Sequence, residues 1–229
     1  MSDDKSRKEM LEELGEPDPF LVFVGQMMEF GKKYQKQILA SVGAVVALAI
    51  VITGVVYYKN QSEDRAATML GKTIAKYNSI KKDESSFIAY EEVKKSFKNI
   101  TEKYGSTGAG KVALLQYADI CFLTKNYDEA ITAYNQALDT LGKTEFKSMI
   151  ISGLAYSYQG KEDDEQAVKY FEMITKDEAA VMKDEALFNL GLLYSKLGKT
   201  EQEKEAFTKL VSEYPDSMLF DRASEKIPG

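Results

Sequence analysis

Between Ile38 and Tyr57 the chain runs for twenty residues without one charged side chain, ILASVGAVVALAIVITGVVY. At about 1.5 Å rise per residue a helix of that length spans the roughly 30 Å hydrocarbon core of a bilayer. A lone segment in lipid can satisfy its own backbone hydrogen bonds only as a helix. Lys32, Lys33 and Lys36 stand before the run and Tyr57, Tyr58 and Lys59 after it, where interfacial anchors belong. A buried core helix is the alternative, but it would be shorter and would carry a polar stripe. The sequence therefore predicts a transmembrane anchor at 38–57, with a short tail before it and a large soluble domain after it. A cleaved secretory signal fits less well: 37 residues precede the run, and VVYYKNQSED offers no small-x-small cleavage site. The anchor reads as an uncleaved signal anchor.

Residues 1–18 read as a disordered charged tail (MSDDKSRKEMLEELGE, then Pro17 and Asp18). GEPDP breaks any earlier helix; Asp18 can cap the next one, with Pro19 at its first position. Residues 19–37 open with the apolar FLVFVGQMMEF and close on lysines. They read either as an amphipathic juxtamembrane helix on the bilayer or against a membrane partner, or as a plain extension of the anchor. Orientation is nearly balanced, with Lys32, Lys33 and Lys36 on one side and Lys59, Arg65 and Lys72 on the other. The tail lysines lie closer to the run and are joined by Lys5, Arg7 and Lys8, which tilts the tail toward the cytoplasm. Ala40-xxx-Ala44 and Gly43-xxx-Ala47 would permit close helix approach without specifying a dimer, so the oligomeric state stays open.

The residues from 58 onward carry 24 Lys and Arg against 28 Asp and Glu. That mildly acidic balance, with no basic run, offers little to a nucleic-acid backbone. The chain has one cysteine, Cys121, and neither histidine nor tryptophan. No internal disulfide is possible, and the missing histidine removes Ser-His-Asp triads, imidazole metal sites and the usual proton shuttle. Neither a catalytic site nor a metal or cofactor site is expected.

Residues 61–104 show helical periodicity in two runs. Ala66, Ala67, Leu70, Ile74 and Tyr77 form one, and Phe87, Tyr90, Val93, Phe97 and Ile100 the other, with the polar KKDESS as the turn between. From 110 to 229 a repeat appears. YADICFLTKNYDEAITAY (117–134), LAYSYQGKEDDEQAVKYF (154–171) and LGLLYSKLGKTEQEKEAF (190–207) align without gaps. Ala118, Ala155 and Gly191 are separated by 37 and 36 residues. So are Ala130, Ala167 and Glu203, and so are Tyr134, Phe171 and Phe207. The pattern resembles the tetratricopeptide repeat, a helix–turn–helix unit in which small residues allow two helices to cross closely. The third copy matches best, with Leu187, Leu190, Gly191, Tyr194, Gly198, Phe207 and Pro215 on motif positions. Glu203 in place of Ala, Cys121 in place of an aromatic and the longer period depart from it. KSFKNITEKYGS (95–106) echoes EAFTKLVSEYPDS (205–217), so 61–104 reads as a hairpin whose second helix is a half-repeat cap. The expected fold is all-α: one transmembrane helix, then a solenoid of about three tetratricopeptide-like repeats with flanking helices.

The resemblance places Leu115, Asp119, Phe122, Ser152, Tyr156, Gln159, Phe188, Leu192 and Ser195 on the inward face of the first helices, as a protein-binding groove. Packing of Phe122, Phe188 and Leu192 inside the domain is the alternative. No Lys–Asn–Arg set occupies these positions, which argues against recognition of an acidic chain terminus. Glu162, Asp163, Asp164 and Glu165 lack the spacing of a calcium loop and read as a solvated turn. GSTGAGK (105–111) lacks phosphate-loop spacing and follows a helix.

An anchor followed directly by KNQSEDRAATMLGKTIAKY and then by these repeats resembles the YfgM family, ancillary subunits of the bacterial SecYEG translocon. The resemblance covers roughly residues 20–229. It implies a single-pass inner-membrane protein with a periplasmic domain, whose partners would be the translocon, a PpiD-like membrane-anchored chaperone and secreted client chains. A scaffold for another envelope complex, or a docking receptor facing the cytoplasm, fits the same residues.

Overall fold

The computed structural model describes residues 19–227. The charged tail 1–18, with its Asp18 cap, lies outside the described residues. Among these, nine helices and no strand occur: α1 Pro19–Asp83, α2 Ser86–Tyr104, α3 Gly108–Leu123, α4 Tyr127–Leu141, α5 Lys147–Gly160, α6 Asp164–Lys176, α7 Lys183–Lys196, α8 Thr200–Glu213 and α9 Phe220–Ser224. The contacts divide the chain into two units, between Tyr58 and Lys59.

In the first unit, residues 19–37 and 38–57 lie in one uninterrupted helix, the arrangement of a plain extension of the anchor. No proline lies between Phe20 and Asp83, and the glycines in this stretch stand singly, a cost that long apolar neighbours absorb. Leu39, Val45, Leu48, Ile50 and Val51 are exposed. Among the described residues α1 is the helix long and apolar enough to cross a membrane, and none of its apolar window is buried within the protein.

In the second unit, α1 continues with Ala66, Leu70, Thr73 and Tyr77 buried on one stripe at spacings of four, three and four. It shares a core with Ala89, Tyr90, Val93, Phe97 and Ile100 of α2. Lys76 Nζ meets Glu92 Oε2 at 2.8 Å across the hairpin. The turn falls at Glu84 and Ser85, inside KKDESS; the Ser85 hydroxyl accepts from the Ile88 N–H and starts α2. Thr107 caps α3 in the same way at Gly110. Glu63 of α1 also reaches the start of α3, accepting from the Gly108 and Ala109 N–H groups at 2.7 Å each. A carboxylate at a helix N-terminus meets both unsatisfied donors and the positive end of the dipole.

Three helical hairpins follow: α3–α4, α5–α6 and α7–α8. Their turns are built alike. Lys125, Glu162 and Gly198 have φ of 63°, 63° and 69°. In each turn the next residue's N–H bonds back to the carbonyl five residues earlier: Asn126 to Cys121, Asp163 to Tyr158 and Lys199 to Tyr194. This is a Schellman ending with a left-handed residue, a conformation that glycine adopts without strain.

Small residues and rings pack together within and between the hairpins. Ala118, Ala155 and Gly191 are buried, as are Tyr134, Phe171 and Phe207. A Cβ added at Gly191 would stand 2.5 Å from the Phe207 ring, and one at Gly153 would stand 2.4 Å from the ring of Tyr134. The core then passes along the stack in overlapping clusters: α1–α5, then α5–α8, then α7 and α8 with Ala223 of α9. Ala130 and Ala167 are buried on the second helices, whereas Glu203 of α8 is half-buried and Pro215 exposed.

Two stability predictions follow from these contacts. Gly191→Ala overpacks a ring with no space to retreat and should cost about 1–3 kcal/mol in chemical denaturation of the full chain in detergent. Pairing it with Phe207→Leu should recover part of that loss. Glu162→Gly relieves a left-handed non-glycine residue and should raise stability by about 0.5–1 kcal/mol in the same assay.

Candidate protein-binding face

The first helices α3, α5 and α7 carry a polar and aromatic stripe beside the small residues. Asp119, Tyr156 and Leu192, each one residue after the small position, are half-buried. Four residues after it, Phe122 and Gln159 are half-buried and Ser195 is exposed. Leu115, Ser152 and Phe188, also expected on the groove, are buried and are corrected to core positions. Leu115 joins the core shared by α1–α5 and Phe188 the one shared by α7, α8 and Ala223. Phe188 is further covered by α9: the Arg222 guanidinium lies 4.6 Å above its ring, and Phe207 meets it edge-on at 5.8 Å.

Three residues that the sequence reading missed complete the stripe. Val112 and Met149 are exposed and Glu185 is half-buried. They recur at separations of 37 and 36, as the small residues do, so the repeat itself carried the signal. Leu123 extends the apolar surface of α3.

Tyr156 is the fixed point of this face. Its ring stands 6.3 Å from Phe122 and meets Phe171 edge-on at 5.2 Å. Its hydroxyl donates to Glu185 Oε1 at 2.5 Å and accepts from Asn189 Nδ2 at 2.9 Å, joining α3, α5 and α7 side by side. Burial first, and then the Glu185 carboxylate, pushes the Tyr156 phenol above its ordinary range. Burial likewise raises the Asp119 carboxyl, partly offset by the Tyr134 hydroxyl donating at 2.6 Å. The phenol stays protonated near neutral pH. The face therefore offers apolar contacts and fixed hydrogen-bonding groups rather than a proton to transfer.

A second polar centre joins α2, α3 and α4. The hydroxyls of Tyr90 and Tyr117 donate to Glu129 Oε2, and Lys94 and Lys98 reach Oε1 at 3.0 and 3.3 Å. It borders a cleft of about 350 Å³ that includes Lys98, Thr101, Tyr117 and Gln136. Burial opposes ionisation of Glu129, but these donors outweigh it and hold the carboxyl at about 2. Burial and then Glu129 push the Tyr90 phenol up to about 12. Burial first, with the Glu129 charge adding to it and the Tyr117 hydroxyl opposing it, pushes the enclosed Cys121 thiol up to about 11.

The remaining sequence motifs resolve as structural parts. The N–H groups opening α3 in GSTGAGK are occupied by Thr107 and Glu63. Asp163 caps α6, and Asp164, expected in a solvated turn, is buried and pairs with Lys196 at 2.7 Å. Among the described residues no cluster of Cys, Asp or Glu is placed to hold a metal ion.

The chain matches the tetratricopeptide repeat-like domain family over residues 29–222. It belongs to that family. Its fold is similar to that of a tetratricopeptide repeat protein from Parabacteroides merdae, with a TM-score of 0.55 and 18% sequence identity. The likeness covers 69% of this chain and 59% of that one, and it concerns the fold alone. No curated protein matches the chain. Tetratricopeptide-like domains generally bind proteins, and theirs is a fold typical of non-enzymatic scaffolds.

The Glu129 centre gives a pH prediction. A carboxyl whose folded value lies at about 2, below its ordinary 4.5, contributes stability that is present above that ordinary value. The contribution is lost as pH falls toward 2. Melting temperature followed across this acid window should fall less steeply for Glu129→Gln than for the native chain, and Glu129→Gln should be the less stable protein at neutral pH.

Proposed function

We propose that this protein is a membrane-anchored protein-interaction module, accessory to the bacterial SecYEG translocon, with its repeat domain in the periplasm. On this reading residues 38–57 are an uncleaved signal anchor in the inner membrane. The first-helix face meets translocon subunits, a PpiD-like chaperone or emerging secreted chains. The observation that carries the reading is the stripe formed by Val112, Leu123, Phe122, Met149 and Leu192, exposed or half-buried around the fixed Tyr156. Such a stripe suits an apolar or helical segment of another chain. The order of anchor, KNQSEDRAATMLGKTIAKY and repeats supports the secretory assignment through its likeness to YfgM proteins. Tethering beside a channel exit would raise the effective concentration of client, so a weak face would suffice.

Photo-crosslinking in living cells tests this, with the probe at Met149 or Ser195 and controls at Thr132 and Thr208, exposed on the second helices. Adducts with translocon subunits, membrane-anchored chaperones or secreted chains, absent from the controls, are the expected result. Adducts confined to cytosolic proteins would reverse the topology. Adducts with one stable envelope assembly would replace the secretory role by a scaffold, and equal adducts at the controls would remove the face.

A further inference from the structure

The residues that precede the anchor carry a second apolar surface. From Phe20 to Lys36 the chain is helical, so successive side chains advance by about 100°. Phe23, Met27, Phe30 and Tyr34 then fall on one line, and Val24 and Met28 widen it to an arc of roughly half the helix. Glu29, Lys32, Lys33 and Lys36 occupy the opposite side, with Val22 among them. Phe23, Met27, Met28 and Phe30 are exposed, and Phe30 lies against Tyr34 at 4.6 Å between ring centres. The twenty residues of 38–57 already fill the hydrocarbon thickness. This surface therefore lies outside the span, and water is a poor solvent for it.

We propose that residues 20–36 form an interfacial helix that lies on an anionic lipid surface next to the span. The proposal rests on the reading of 38–57 as a membrane anchor. Three observations select lipid as the occupant. The apolar arc is about twice as wide as a two-helix seam needs. A paired coil along Phe23, Met27, Phe30 and Tyr34 would set Val24, Gln26, Gly31 and Lys33 at the flanking positions, which offer no opposite-charge pairs. The segment carries three lysines against one glutamate in a chain whose net charge is −6, and so complements anionic headgroups. The apolar face sinks about 5–10 Å into the headgroup boundary while the lysine stems reach outward.

The chain contains no tryptophan, so one introduced residue reports alone. The full chain would be reconstituted in vesicles of phosphatidylcholine and phosphatidylglycerol that carry a doxyl quencher at a shallow or a deep acyl position. Met27→Trp should emit to the blue and be quenched most by the shallow label, whereas Gln26→Trp should be quenched by aqueous acrylamide. Acrylamide quenching of Met27→Trp equal to that of Gln26→Trp would overturn the proposal, as would quenching mainly by the deep label. Protection of Met27→Trp from every quencher would show a protein partner or a second copy on this face, and would also overturn it. Val46→Trp, in mid-span, separates the two readings: deep quenching there upholds the anchor whatever residue 27 does, and its absence overturns anchor and interfacial helix together.

Discussion

The repeat domain depends on rings that lie against positions without bulk. Tyr134, Phe171 and Phe207 are large buried side chains midway along α4, α6 and α8, and each needs room on the helix opposite. Glycine or alanine at 118, 153, 155 and 191 gives that room, and a single methyl at 153 or 191 would fall inside a ring. The contact fixes how closely the two helices of a hairpin approach. It also fixes how the next hairpin docks, because Tyr134 of α4 lies against Gly153 of α5. Interiors packed to crystal-like density do not average over such errors. The stack therefore passes its register from one hairpin to the next.

This constraint explains what could be read in the sequence. Small residues and rings recurring at 37 and 36 residues announced three hairpins, because the spacing that makes a close crossing possible is also visible as a pattern. The turns were only partly legible. Gly198 stood on a motif position and has the freedom of a glycine, whereas Lys125 and Glu162 adopt the same backbone with nothing in their chemistry to show it. Burial at Leu115, Ser152 and Phe188 was not legible, because they share a helix face with Asp119, Tyr156 and Leu192 and differ from them only in what packs over them. Contacts between distant positions, such as Glu63 with the start of α3 or Glu129 with Tyr90, left no local trace at all. They follow from packing between elements distant in sequence.

A second theme is how a chain without histidine pins its helices together. Phenol-to-carboxylate hydrogen bonds recur: Tyr134 to Asp119, Tyr156 to Glu185, Tyr194 to Glu172, and Tyr90 with Tyr117 to Glu129. A neutral donor on a charged acceptor makes a strong bond and leaves no second charge to desolvate. Burial and the neighbouring carboxylate raise the phenols, and in the Glu129 centre the pair is held at about 12 and about 2. The Glu129 joint keeps one protonation state across the neutral range, which favours a scaffold of constant shape over a pH-driven switch.

Constant shape bears on what the first-helix face can do. The Tyr156 joint spans α3, α5 and α7, so the apolar side chains around it are held before any partner arrives and less conformational freedom is lost on binding. The stripe is nevertheless short and mixed with polar groups, a composition that gives modest affinity and broad tolerance of sequence. A face of that kind gains selectivity from location more than from contacts. On the proposed reading the membrane supplies the location. Anchoring restricts the repeats to the volume next to the bilayer, where a client is met repeatedly at high effective concentration. An interfacial helix before the span would further limit tilt and rotation of the anchor at the surface, because a wide apolar arc and its lysines are satisfied together in only one orientation.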